Sequence, residues 1–145
     1  MDGAGVTSDF AISTGLVRTK AAVCAVGAMG VGLCALEAIA PGEIVCGARA
    51  LLLTEAERAG LLKTALWSHM FCGPLCDDAG GAVVFGDPTF CNHAAAPNAQ
   101  LEWRRESERF ATAELIALRA IEPGEEICIR YRDVDEYAGR GVALR

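Results

Sequence analysis

A mainly β domain with one main helix inserted is what this sequence predicts, on three observations. Short runs rich in Ala, Val, Ile and Leu alternate with turns built from Gly, Pro, Asn and Asp, the pattern of many short strands. Only the stretch Thr54 to Met70 opens with a helix-start signal and continues with apolar residues at helical spacing. The chain has 145 residues, of which 52% are apolar and 22% charged. That is enough for one hydrophobic core, and too apolar for bulk disorder.

The elements follow in order. Residues 1–13 are small and polar and read as a flexible N-terminus. Leu16 to Val26 reads as a strand, Gly27 to Gly32 as a glycine turn, and Gly32 to Glu37 as the returning strand. The uncharged run inside this unit, Ala21 to Leu36, is 16 residues long. A membrane-spanning helix needs about 20. Its glycines also disfavour a helix, and Asp2 and Asp9 in a long leader argue against a signal peptide. A buried strand–turn–strand is the expectation, with no membrane segment. Next comes Ala38-Ile39-Ala40-Pro41-Gly42-Glu43, where Pro fixes φ and Gly takes the positive φ of a tight turn before a new strand. Nearly the same phrase recurs at Ala120 to Glu125, and reads as a common turn used twice. Thr54 and Glu57 have the spacing of a capping box, and Ala59, Leu62, Leu66 and Met70 form one apolar stripe. Gly73-Pro74 is expected to end that helix. Ala82 to Phe85, Gln100 to Arg104, Phe110 to Leu118 and Glu126 to Tyr131 read as further strands, and Trp67 and Trp103 as core residues.

A net charge of −6 argues against direct nucleic-acid binding and leaves basic, lysine-rich polypeptides electrostatically welcome. The seven cysteines show no Cys-x-x-Cys spacing, and only His69 and His93 could join them, so no zinc pattern stands out. Cys72 and Cys76 alone are near enough for a half-site or a bridge. The cysteines are expected to be small buried thiols in an intracellular, reducing compartment.

Three segments carry the chemistry. They are Gly30-Val31-Gly32-Leu33-Cys34-Ala35, then Asn92-His93 with Pro97-Asn98-Ala99, then Gly124-Glu125-Glu126-Ile127 with Tyr131. Each alone is a turn or a strand. In this order they resemble the SET-domain family of protein lysine methyltransferases, whose pattern runs GxG-(Leu/Val)-x-Ala, Asn-His-Ser-Cys-x-Pro-Asn and Gly-Glu-Glu-(Leu/Ile)-x-x-x-Tyr. The likeness spans about residues 16–133. It implies a SET-domain fold of several small curved sheets with a pseudoknot, the SET domain occupying 14–133 and a C-terminal tail 134–145.

The resemblance also implies roles. S-adenosyl-L-methionine would lie against Met29, Gly30, Val31, Gly32, Asn92, His93 and Tyr131. Tyr131 would be catalytic, at the point where the methyl passes to the amine of a lysine in a protein substrate. His93 would meet the cofactor largely through its backbone. No zinc flank follows Tyr131, so the tail must help close the channel, with Tyr137 as candidate lid. Two departures stand out. The family's Ser-Cys is Ala94-Ala95 here, and Ile129 holds a place where many members carry an aromatic residue. The first of these keeps an alternative in view, a non-catalytic SET-like binding or assembly module. A homodimer is left open.

Overall fold

The computed structural model describes residues 18–72, 75, 80–132, 134–142 and 144. Small apolar residues open the chain as an antiparallel hairpin, β1 (Ala21–Ala25) and β2 (Val31–Ala35), joined by one 3-10 turn at Gly27–Met29. Gly30 closes that turn with φ at 82°, a conformation glycine adopts without cost. The long strand β3 (Ile44–Leu53) follows, then helix α1 (Glu55–Leu61) and strands β4 (Met70–Phe71), β5 (Gly81–Phe85) and β6 (Asn92–His93). The hairpin β7 (Ala99–Arg105) and β8 (Phe110–Ala117), strand β9 (Glu126–Ile129) and helix α2 (Val134–Gly139) complete it. One sheet has the order β1-β2-β9-β6, the other β4-β5-β3-β8-β7. This is the mainly β, curled-sheet fold expected of a SET domain.

The two copies of the Pro-Gly-Glu phrase meet. Ile39 and Ile121 exchange both backbone hydrogen bonds at 2.9 Å, forming an antiparallel bridge between the sheets. In each copy the glutamate carboxylate reaches back to the backbone N–H three residues earlier, Glu43 to Ala40 at 2.8 Å and Glu125 to Glu122 at 3.0 Å. Arg119, 2.5 Å from Glu125, holds that carboxyl down to a pKa of about 2, with the Glu122 N–H helping. The phrase is therefore more than a repeated turn. Its two copies pair face to face over a core of Leu33, Ile39, Val45, Leu115, Ile121 and Ile127, each at most 2% exposed.

The expected single helix is corrected. The capping box is present, with Glu57 N–H donating to the Thr54 hydroxyl and Thr54 N–H to the Glu57 carboxylate. The helix nevertheless ends at Leu61, because Thr64 breaks it. Its hydroxyl donates to the Leu61 carbonyl at 2.8 Å and accepts the Leu66 N–H at 3.2 Å, starting a separate 3-10 helix, Ala65–His69. Neither piece buries a residue, and Met70 already belongs to β4, paired with Val83. The expected stop at Gly73-Pro74 lies outside the described residues, as do Leu16 and the 1–13 segment.

The cysteine expectation holds in part. Cys46 and Cys91 are buried thiols. Burial, with Asp87 adding repulsion, pushes Cys46 up to about 12, and Cys91 is raised well above its ordinary value for the same first reason. Cys24 and Cys34 are not buried thiols. They are joined as a disulfide across β1 and β2, their Cα atoms 6.0 Å apart, because the hairpin register sets them diagonally opposite. Cys76 lies outside the described residues. Among the described residues no helix is long and apolar enough to cross a membrane.

Candidate active site

Three separate stretches converge beside the β2-β9-β6 edge. The β1–β2 hairpin brings Gly32 against Asn92 and Glu126. A Cβ at position 32 would lie 2.9 Å from Asn92 Nδ2, 2.9 Å from Glu126 Oε1 and 3.0 Å from Val26 Cγ1, so any side chain there would have to displace these neighbours. Asn92 enters from β6, which runs parallel to β9 with Asn92 opposite Cys128 and His93 opposite Ile129. Its amide nitrogen donates to the Val31 carbonyl at 3.0 Å and to Glu126 Oε1 at 2.8 Å. Asn92 thereby ties the glycine turn to β9 with its two hydrogens, and its own oxygen is an acceptor.

Tyr131 follows β9 and is held by the residues that flank Asn92. Its backbone N–H donates to His93 Nδ1 at 2.9 Å, and its hydroxyl to the Cys91 carbonyl at 2.7 Å. Because Nδ1 accepts, the neutral His93 ring carries its hydrogen on Nε2. Burial first, and the Arg130 charge second, lower the His93 pKa from 6.5, which keeps the ring neutral. A row of rings continues outwards. His93 and Tyr131 centroids are 5.4 Å apart, Tyr131 and Tyr137 5.2 Å, and Tyr137 and Trp67 5.0 Å. Tyr137 is 6% exposed and donates its hydroxyl to the Ser68 carbonyl at 3.1 Å, which docks α2 on the 3-10 helix.

Two cavities abut this row. One, of about 230 Å³, is bordered by Val31, Asn92, His69 and Phe90. The other, of about 240 Å³, has apolar walls from Met70, Phe71, Leu101, Trp103 and Ile129, with Arg130 and Arg132 among its lining. Ser68, Thr89, Tyr131 and Tyr137 border both. Of the residues singled out from the sequence, Val31, Asn92 and Tyr131 share the first cavity, and Gly32 packs behind it against Asn92. His93 lines a neighbouring hollow with Ala95 and Val134. The backbone of Met29 lies in the turn preceding Gly30. Trp67 is not a core residue, since it is half-buried between Tyr137 and the Arg140 guanidinium, 4.3 Å above its ring. Trp103 packs at 6.0 Å on Phe71 against a second core cluster, of Ala50, Leu52, Ala82, Val84, Ala111 and Ala113, and also walls the apolar cavity. Sequence reasoning gave no role to Glu126, although it stands in the quoted Gly-Glu-Glu motif, nor to Arg130, Arg132 or Phe71.

Two small curled sheets, a glycine turn clamped to an Asn-His strand, and a tyrosine held by that strand define the SET class of domain. The SET-domain family model matches residues 30–132, and the chain belongs to that family. No match is found among curated proteins. Solved structures of the same fold include a Plasmodium falciparum protein described as a candidate histone methyltransferase. It is 21% identical, with TM-score 0.62, over 80% of this chain and 96% of that one. Another is an apo PRC2 structure with substitutions in Ezh2, 18% identical with TM-score 0.62, in which the match covers 83% of this chain and 16% of that one. SET-domain proteins are generally protein lysine methyltransferases that use S-adenosylmethionine.

Proposed function

We propose that this chain transfers a methyl group from S-adenosylmethionine to the side-chain amine of a lysine in a protein substrate. The observation that carries the reading is the meeting of two cavities at Tyr131, one beside Asn92 and one beside Trp103. A donor and an acceptor reaching a shared point from two sides is what an in-line displacement requires.

The residues present fit the cofactor. Gly30 presents open backbone, with no atom within 4 Å of where a Cβ would stand, and Asn92 Oδ1 can accept from an ammonium group. Gly30, Val31, Gly32 and Asn92 would hold the amino-acid end, with Tyr131 beside it. When bound, the cofactor supplies an electrophilic methyl on a sulfonium. The chain supplies alignment and a neutral amine. Free lysine has a pKa of about 10.4. Apolar walls and the nearby Arg130 and Arg132 charges both disfavour its ammonium form. The Tyr131 hydroxyl has its hydrogen directed to the Cys91 carbonyl, so towards a methyl it can act only as an acceptor, through weak C–H···O contacts that hold the methyl in line.

The Ala94-Ala95 departure leaves the segment in place, since Ala94 N–H still donates to the Ile129 carbonyl at 2.9 Å. The parallel pairing of β6 with β9 and the bonds from Asn98 to the same strand support reading this region as the family's knot. Labelled-methyl transfer to a lysine-bearing polypeptide is the test. Wild-type protein should transfer label, and Tyr131→Phe should do so at least about tenfold more slowly with cofactor binding retained. Absence of cofactor binding in calorimetry would remove the enzyme reading and leave the binding-module alternative.

A further inference from the structure

Among the described residues, the charged groups on the apolar-walled cavity are all of one sign. Arg130 and Arg132 flank Tyr131 and are both exposed. Among the described residues neither is in an ion pair or a side-chain hydrogen bond. Most other arginines are engaged. Arg18, Arg49, Arg58, Arg109, Arg119 and Arg140 each face a glutamate within 4 Å. The described residues lining the cavity include no carboxylate. On the adjoining helix α2, Glu136 is taken by Arg58 and Arg140, while Asp135 lies with Arg130 on the neighbouring hollow. Among the described residues the charges at the mouth are therefore cationic, on a chain whose net charge is −6.

We infer that the preferred protein substrate carries carboxylates, not basic residues, beside its target lysine. The inference deepens the methyl-transfer reading and rests on it for the cavity's role. A lysine flanked by arginines would bring like charges to the Arg130 and Arg132 guanidinium groups. A lysine flanked by Glu or Asp meets two forks suited to bidentate carboxylate binding. The overall acidity favours basic partners at long range, but within a Debye length of about 10 Å the rim decides. Two arginines on an acidic chain are too few for phosphate-backbone binding, so an acidic peptide and not a nucleic acid is the occupant.

The test is equilibrium binding, which does not require turnover. Two fluorescent peptides of equal length carry one lysine, flanked by Glu in one and by Arg in the other. Fluorescence anisotropy at low salt should show the Glu peptide binding about tenfold more tightly, with the gap closing at high salt. The double substitution Arg130→Gln, Arg132→Gln should abolish the preference, while Lys63→Gln, on an exposed surface elsewhere, should preserve it. Equal or tighter binding of the Arg peptide overturns the inference, as does no binding of the Glu peptide, survival of the preference in the double variant, or equal competition by a short oligonucleotide. Calorimetry with S-adenosylmethionine separates the two claims. A chain that binds cofactor without acidic preference loses only the inference. One that prefers the acidic peptide but binds no cofactor loses only the methyl-transfer reading.

Discussion

Tyr131 is fixed by two hydrogen bonds from one short segment, its N–H to His93 Nδ1 at 2.9 Å and its hydroxyl to the Cys91 carbonyl at 2.7 Å. The first of these makes the tyrosine's position depend on the charge of an imidazole. Protonating Nδ1 would turn an acceptor into a donor facing another donor. Burial and Arg130 lower the His93 pKa below 6.5, so the folded state resists that proton more than the unfolded chain does. The sign follows. The contribution to stability is complete above pH 6.5 and is lost as pH falls through the folded pKa. Wild-type protein should therefore lose more stability between pH 7.5 and pH 5.5 than His93→Gln, whose amide oxygen can accept the same N–H without titrating. Urea denaturation of both at the two pH values measures it. An equal loss in both would show that the imidazole is not the titrating element. This arrangement was only half legible in the sequence. The Asn-His pair stood out as a motif, but a role for the imidazole as an acceptor did not, because nothing in the residue order says that β6 lies parallel to β9.

At the scale of elements, legibility followed how local the determinants are. The glycine turn, both Pro-Gly turns and the β7–β8 hairpin depend on residues a few positions apart, and each lies where its composition placed it. The helix was misjudged because its stripe continued past Thr64, whose hydroxyl competes for the backbone at short range and ends α1. Helix α2 carries little signal of its own. Tyr137, Glu136 and Arg140 hold it through Ser68, Arg58, Leu62 and Trp67, none of them near in sequence. The Cys24–Cys34 disulfide is likewise a product of register. It closes a loop of sequence separation 10 that contains the whole of the glycine turn. In the chain-entropy model a loop of this size contributes about 2–3 kcal/mol. The double substitution Cys24→Ser, Cys34→Ser should lower unfolding stability by about that amount and speed hydrogen exchange at Gly30 and Val31. A denaturant midpoint that neither the substitutions nor a reductant moves would mean that the hairpin is held without it.

For the whole molecule, the question is what keeps two sheets in one register. The motifs name residues but not the surfaces that face each other, so the sheet order β1-β2-β9-β6 could not be drawn from them. Asn98 answers much of it. It is 3% exposed and reaches from the start of β7 in one sheet to β9 in the other. Its amide nitrogen donates to the Glu126 carbonyl at 2.8 Å and to Glu125 Oε1 at 3.3 Å, and its oxygen accepts the Cys128 N–H at 2.9 Å. Its own carbonyl accepts the Leu118 N–H at 2.8 Å, just beyond β8. One side chain thus satisfies backbone groups on a strand that would otherwise face a buried junction without partners. Asn98→Ala leaves a donor and an acceptor unpaired there, each costing about 1–3 kcal/mol. The variant should lose about 2–4 kcal/mol in urea denaturation, while Gln100→Ala, two residues along and exposed, should stay within about 0.5 kcal/mol. Asn98→Asp keeps the acceptor for Cys128 but sets a carboxylate against Glu125 and the Glu126 carbonyl, so it should be no better than alanine. If Asn98→Ala matched Gln100→Ala, the junction would be held by apolar packing around Ile39 and Ile121 instead, and the asparagine would serve only the local turn.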